Sequence, residues 1–104
     1  MNYILNDAGD PVAEPDVLTW AMWFQTADRT IGHAELRDDV VVSTVFLGLD
    51  HNFSRSGPPL LFETMIFGGL LDETQYRYST RAAALAGHEA TVAEAMAALE
   101  GGQG

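Results

Sequence analysis

Two apolar runs carry the densest hydrophobic pattern in the chain. Val40 to Leu49 (VVVSTVFLGL) contains no charge, and Leu60 to Phe67 (LLFETMIF) is interrupted by one carboxylate, Glu63. Both are rich in β-branched and aromatic residues and bounded by turn formers, which predicts strands. The first run has the character of a central strand buried on both faces. Residues 50–59 form a polar loop between them, in which Pro58-Pro59 excludes a helix and stiffens the approach to the second strand. Gly68-Gly69 opens a turn ending near Glu73, so Thr74 to Tyr78 returns as a hairpin strand with Glu63 opposite Arg77 or Tyr78.

Upstream and downstream the period changes. Tyr3 to Leu5, the turn-rich Asn6 to Pro11, and Val12-Ala13 predict a small hairpin. Pro15-Asp16 then starts a helix that runs to Ala27, with Val17, Trp20, Ala21, Phe24 and Ala27 on one face and Trp23 widening it. A helix so apolar either lies between two layers or offers a surface to a partner. Ile31 to Leu36 is a weaker strand, followed by a tight turn at Arg37-Asp38-Asp39. Ser79 or Thr80 caps a last helix reaching Leu99, whose stripe is Leu85, His88, Val92, Met96 and Leu99. Gly87 within it costs about 1 kcal/mol relative to Ala, which implies a close approach to the sheet or to a second copy. The reading is one α+β domain over residues 1–100: an antiparallel sheet of three to five strands packed with two helices, and a flexible tail at 101–104.

Charge narrows the function classes. Five arginines and no lysine stand against fifteen acidic groups, a formal −10. A surface of that sign repels duplex nucleic acid, whose binding needs clustered cations, and attracts basic proteins. The same surface can imitate DNA. Cysteine is absent, so disulfides, thiol chemistry and thiolate metal sites are excluded together. The first residues carry two aspartates and no basic region, so the expectation is a cytoplasmic protein with neither an export signal nor a membrane span.

Candidate chemistry is concentrated in a few positions. Glu63 in an apolar strand needs a cation or solvent, because a buried unpaired carboxylate is costly. Its two readings are a cross-strand ion pair and the base of a pocket. Asp50 and His51 sit where the central strand ends, a usual place for ligand-facing groups on a rigid scaffold. Arg77-Tyr78-Ser79-Thr80-Arg81 places two guanidinium groups, hydroxyls and a ring at a helix start, where free N–H groups favour an anion. Arg55, in the loop, would add a third guanidinium if the loop folds near it. His88 lies on a helix stripe, and Trp20 is either core or a stacking platform. His51, His88 and Glu63 or Asp50 have the residue types of a metal site without the spacing of one, so no metal and no cofactor is expected. Nucleophile elbows and phosphate-binding glycine patterns are absent.

The segments Ser43–His51 (STVFLGLDH), Pro59–Gly69 (PLLFETMIFGG), Arg77–Thr80 (RYST) and Ala86–His88 (AGH), with Trp20–Arg29 (WAMWFQTADR) upstream, resemble a family of small, mostly uncharacterised phage and prophage proteins. The resemblance covers residues 2 to 95. It implies an early or accessory phage protein acting in the cytoplasm of the bacterial host, where small phage proteins often counter host defence.

The first functional expectation is a non-enzymatic protein binding a small anionic, nucleotide-like ligand through Asp50, His51, Arg55, Glu63, Arg77, Tyr78, Arg81, His88 and Trp20. Arg77 and Arg81 would hold phosphate, and Tyr78 or Trp20 would stack. The second is an acidic inhibitor acting through a protein–protein surface, with a host defence protein as partner. A small hydrolase using His51 or His88 with Glu63, and an assembly subunit docking through its apolar first helix, complete the alternatives. A homodimer suits the small core, and no direct nucleic-acid or membrane contact is expected.

Overall fold

A computed structural model describes residues 1–54 and 56–101. Arg55 and the tail at 102–104 lie outside the described residues. The elements follow in the order β1 (Tyr3–Leu5), β2 (Pro11–Ala13), α1 (Val17–Thr26), β3 (Thr30–Glu35), a 3-10 turn (Arg37–Asp39), β4 (Val41–Phe46), β5 (Phe62–Phe67), β6 (Gln75–Tyr78) and α2 (Arg81–Gly101). The α+β architecture is as the pattern predicts. Strands β3-β4-β5-β6 form a four-stranded antiparallel meander, and β1-β2 form a separate hairpin. Asn2 bridges to Leu49, which ties the hairpin to the end of the sheet.

Alternation of side chains decides what the sheet buries. In β4, Val42, Thr44 and Phe46 are buried while Val41, Ser43 and Val45 are only half-buried. The expectation of a strand buried on both faces is therefore corrected: α2 covers one face, and the side chains of the other are only half-buried. Strand β5 repeats the pattern, with Phe62, Thr64 and Ile66 turned to α2 and Glu63, Met65 and Phe67 turned away. The absence of charge in the run reflects a uniformly apolar strand rather than two covered faces.

The inward stripe of α2 also differs from the expected one. Ala84, Thr91 and Ala95 are its buried residues, whereas Leu85 and Met96 are exposed. The sheet supplies the bulk (Phe46, Phe62, Ile66) and the helix supplies small side chains, so the two layers come close. At Gly87 the approach is close enough that a Cβ would collide with the Tyr78 ring. In α1, Trp20, Trp23, Phe24 and Ala27 turn inward, with Trp23 edge-on to Phe46 at 5.8 Å between ring centroids. Val17 and Ala21, placed on the inner face by their spacing, are exposed instead, together with Leu18 and Met22. The helix pivots on the Trp20 and Trp23 rings, because these bury more apolar area than Val or Ala.

Candidate functional site

A polar chain runs through the middle of the sheet–helix layer. Thr44 and Thr64 are paired residues of β4 and β5, and both are fully buried. Their hydroxyl oxygens lie 2.6 Å apart, and Thr44 Oγ1 lies 2.7 Å from His88 Nδ1 on α2. One arrangement uses both hydroxyl hydrogens: Thr64 donates to Thr44, Thr44 donates to Nδ1, and the neutral imidazole carries its proton on Nε2. Burial pushes His88 below its ordinary pKa, aided by His33 and opposed by Glu89. The Thr44 hydroxyl satisfies Nδ1 in the neutral state, and no described buried side-chain N or O lacks a partner. The sequence signal for Thr44 and Thr64 was weak, because threonine in an apolar run reads simply as a strand former.

Glu63 stands opposite Arg77 across β5 and β6, one of the two registers expected from the turn. Arg77 Nε donates to Glu63 Oε2 at 2.9 Å, on the face of the sheet away from α2. Its neighbour Tyr78 points to the other face, against Gly87. Arg77 and Tyr78 are thus on opposite sides of one strand, and Glu63 and His88 are likewise separated by the sheet.

Asp50 organises its own loop. Its carboxylate accepts the backbone N–H groups of Asn52 (2.7 Å) and Leu60 (3.0 Å), and these bonds hold it below the usual carboxylate range. Asn52 continues the tie by donating to the carbonyls of Ser56 and Pro58. His51 Nδ1 lies 2.9 Å from the Leu49 carbonyl and so carries the hydrogen of that bond, with the ring beside Phe53. Trp20 is committed to the scaffold: its indole N–H lies 3.1 Å from both the Tyr3 and Gly48 carbonyls. At the start of α2, Thr80 Oγ1 accepts the Ala83 N–H at 3.1 Å, which is the expected cap. The Arg81 guanidinium lies over Gly9 of the β1-β2 turn, where an added Cβ would come within 2.8 Å of it.

Of the nine sequence-derived candidates, the structure brings together Glu63 with Arg77 and sets Tyr78 beside the helix that carries His88. Arg81 is directed to the hairpin, Trp20 to backbone carbonyls and Asp50 to its loop. Arg55 falls outside the described residues. Among the described residues no group of three or more His, Asp and Glu could hold a metal ion.

Hollows open at the surface among the described residues. A cleft of about 330 Å³ between β6 and α2 is lined by Tyr76, Arg77, Tyr78, Thr91 and Glu94. The Glu94 carboxylate accepts the Tyr76 hydroxyl at 2.8 Å and raises that phenol above its ordinary pKa. At the other end of the molecule, an apolar cavity of about 260 Å³ opens between the β5–β6 turn and the last turns of α2. A neighbouring hollow of about 290 Å³ shares Leu99 with it. Sequence reading missed this end, because its walls come from turns far apart along the chain.

Comparison with known proteins finds no matching family model, no matching curated protein and no matching solved structure.

Proposed function

We propose that this chain is a non-enzymatic accessory protein of phage type that acts by occupying a basic partner protein in the bacterial host cytoplasm, with a host defence protein as the class of target. The observation that carries this reading is charge that the fold leaves uncompensated. Against fifteen acidic groups there are five arginines, and among the described residues Glu63–Arg77 is the one ion pair made by an arginine. Arg29 is drawn inward, donating to the Phe46 carbonyl at 3.0 Å with its guanidinium 3.9 Å from the Phe24 ring centre. A field of one sign speeds encounter with a partner of opposite sign and disfavours polyanions. No helix of the described residues is long and apolar enough to cross a membrane.

A small anionic, nucleotide-like ligand is the second reading, favoured by the cleft between β6 and α2, whose walls include Tyr76, Tyr78 and part of Arg77, although the Arg77 guanidinium is turned to the other face of the strand. Against it, Arg77 already holds Glu63, and Glu94 adds negative charge to the opposite wall.

Native mass spectrometry of the protein purified from phage-infected cells separates the two. The expected result is a complex with a basic protein that dissociates as salt rises. A retained small anion, lost in Arg77→Ala, overturns the protein-binding reading.

A further inference from the structure

Backbone strain in this fold gathers at one end of the sheet. Asp38, Asp39 and Glu73 are the non-glycine residues with positive φ among the described residues, at 59°, 60° and 70°. All three lie in the two turns at that end, and Gly68 and Gly69 beside them are also left-handed. Asp tolerates this conformation better than most residues, so Glu73 is the one of the three whose type rarely adopts it, and strained residues cluster at functional sites. The turns are held against each other. A Cβ on Gly68 would come within 2.7 Å of the Asp39 carbonyl oxygen, and the Gly68 N–H donates to Asp72 Oδ1 at 2.7 Å.

What the turns frame is a pair of adjoining apolar hollows that share Leu99, together termed the trough. Its inner part, about 260 Å³, has Val40, Ile66, Leu71, Ala95 and Leu99 in its walls. Leu99 is shared with the adjoining hollow, which Leu36 and Met96 also line. Leu70 stands at its edge, 81% exposed. The rim is acidic: Asp38 lines the inner part, Glu100 lines the outer part, and Asp39 and Asp72 belong to the framing turns. The last turn of α2 carries no basic residue, although a helix C-terminus favours a cation. Arg37 is the single arginine in the lining.

We infer that this trough docks a basic segment of a protein partner, anchored by one or two large apolar side chains with lysine or arginine on either side. The inference rests on the protein-binding reading above and adds the site and the chemistry recognised. Apolar walls take the anchor, and carboxylates together with the helix C-terminal carbonyls take the flanking cations. A second copy is a poorer occupant, because each chain brings a formal −10. Fatty acids and anionic headgroups would meet the same negative rim.

The test uses the intact protein on a degenerate peptide array whose central and flanking positions vary independently. Retained peptides should combine a Leu, Phe or Trp centre with flanking Lys or Arg. Leu70→Ser and Met96→Gln, both at exposed positions, should weaken the best peptide at least tenfold at every salt concentration. Asp38→Asn with Glu100→Gln should flatten the salt dependence instead, with Asn suited to the left-handed conformation. Unchanged melting of each variant excludes misfolding as the cause.

Selection of neutral or acidic peptides would overturn the proposal. So would a concentration-dependent dimer that Leu70→Ser returns to monomer. If the variants bind the basic partner captured from infected cells as well as the parent does, the trough is wrong and the protein-binding reading stands. If neither a basic partner nor basic peptides bind, that reading fails with it.

Discussion

His88 shows how much one half-buried polar group can fix. Its ring accepts from Thr44, which accepts from Thr64, and protonation at Nδ1 would reverse both hydroxyls and leave one hydrogen without a partner. Burial already holds its folded pKa below the ordinary value of 6.5. The unfolded chain therefore binds this proton first as pH falls. Stability tied to His88 is complete above the ordinary histidine range and is lost below it, down to the depressed folded pKa. Melting temperature should drop by a few degrees between about pH 7.5 and about pH 5.5. His88→Asn, which puts an amide where Nδ1 stands, should remove most of that slope while keeping a partner for Thr44. A slope of the same size in His88→Asn would assign the effect to another group. Asp50 and Asp16 do not interfere, because their lowered carboxylate pKa values act in a more acidic window.

At the scale of elements, α2 and the sheet divide the work of filling space in a way that propensity opposes. Gly87 weakens an isolated helix by about 1 kcal/mol relative to alanine. In the fold it leaves room for the Tyr78 ring, which a Cβ would strike. Gly87→Ala should therefore destabilise by about 1–2 kcal/mol net, with overpacking outweighing the helix gain. Tyr78→Leu in the same chain should recover part of the loss, and the non-additivity in urea unfolding measures the contact. An increase in stability from Gly87→Ala alone would show that the layers have slack. The same division explains what the sequence could show. The β5–β6 register was legible because Gly68-Gly69 marks the turn and Glu63 needs a cation near it. The inward face of α2 was not, because Leu85 and Met96 look like core and Ala84 and Ala95 do not. Side-chain size alone cannot say which layer supplies the bulk. The terminal trough was less visible still, since its walls meet only after the meander and α2 are assembled.

The whole molecule combines a thin core with a strong field. The face of the sheet away from α2 carries Val41, Val45, Met65 and a 46% exposed Phe67, with His33–Glu35 and Glu63–Arg77 on the same face. Around this, a formal −10 acts on a chain of 104 residues, and self-repulsion of that kind opposes the compact state. Salt should therefore stabilise. Between about 0.01 M and about 0.5 M sodium chloride the Debye length falls from about 30 Å to a few Å. Screening of carboxylates spread over both ends of the fold should raise the melting temperature by about 5 °C, equivalent to roughly 1 kcal/mol for a domain of this size. The one arginine–carboxylate pair among the described residues should oppose this only weakly, since exposed pairs contribute about 0–1 kcal/mol. A basic partner would replace salt in this role by supplying fixed cations. Saturating the protein with a retained basic peptide at low salt should then raise the melting temperature more than the same peptide does at high salt. A melting temperature that falls on adding salt would mean that attractive pairs dominate the field, and the acidic surface would lose its claim to be a docking device.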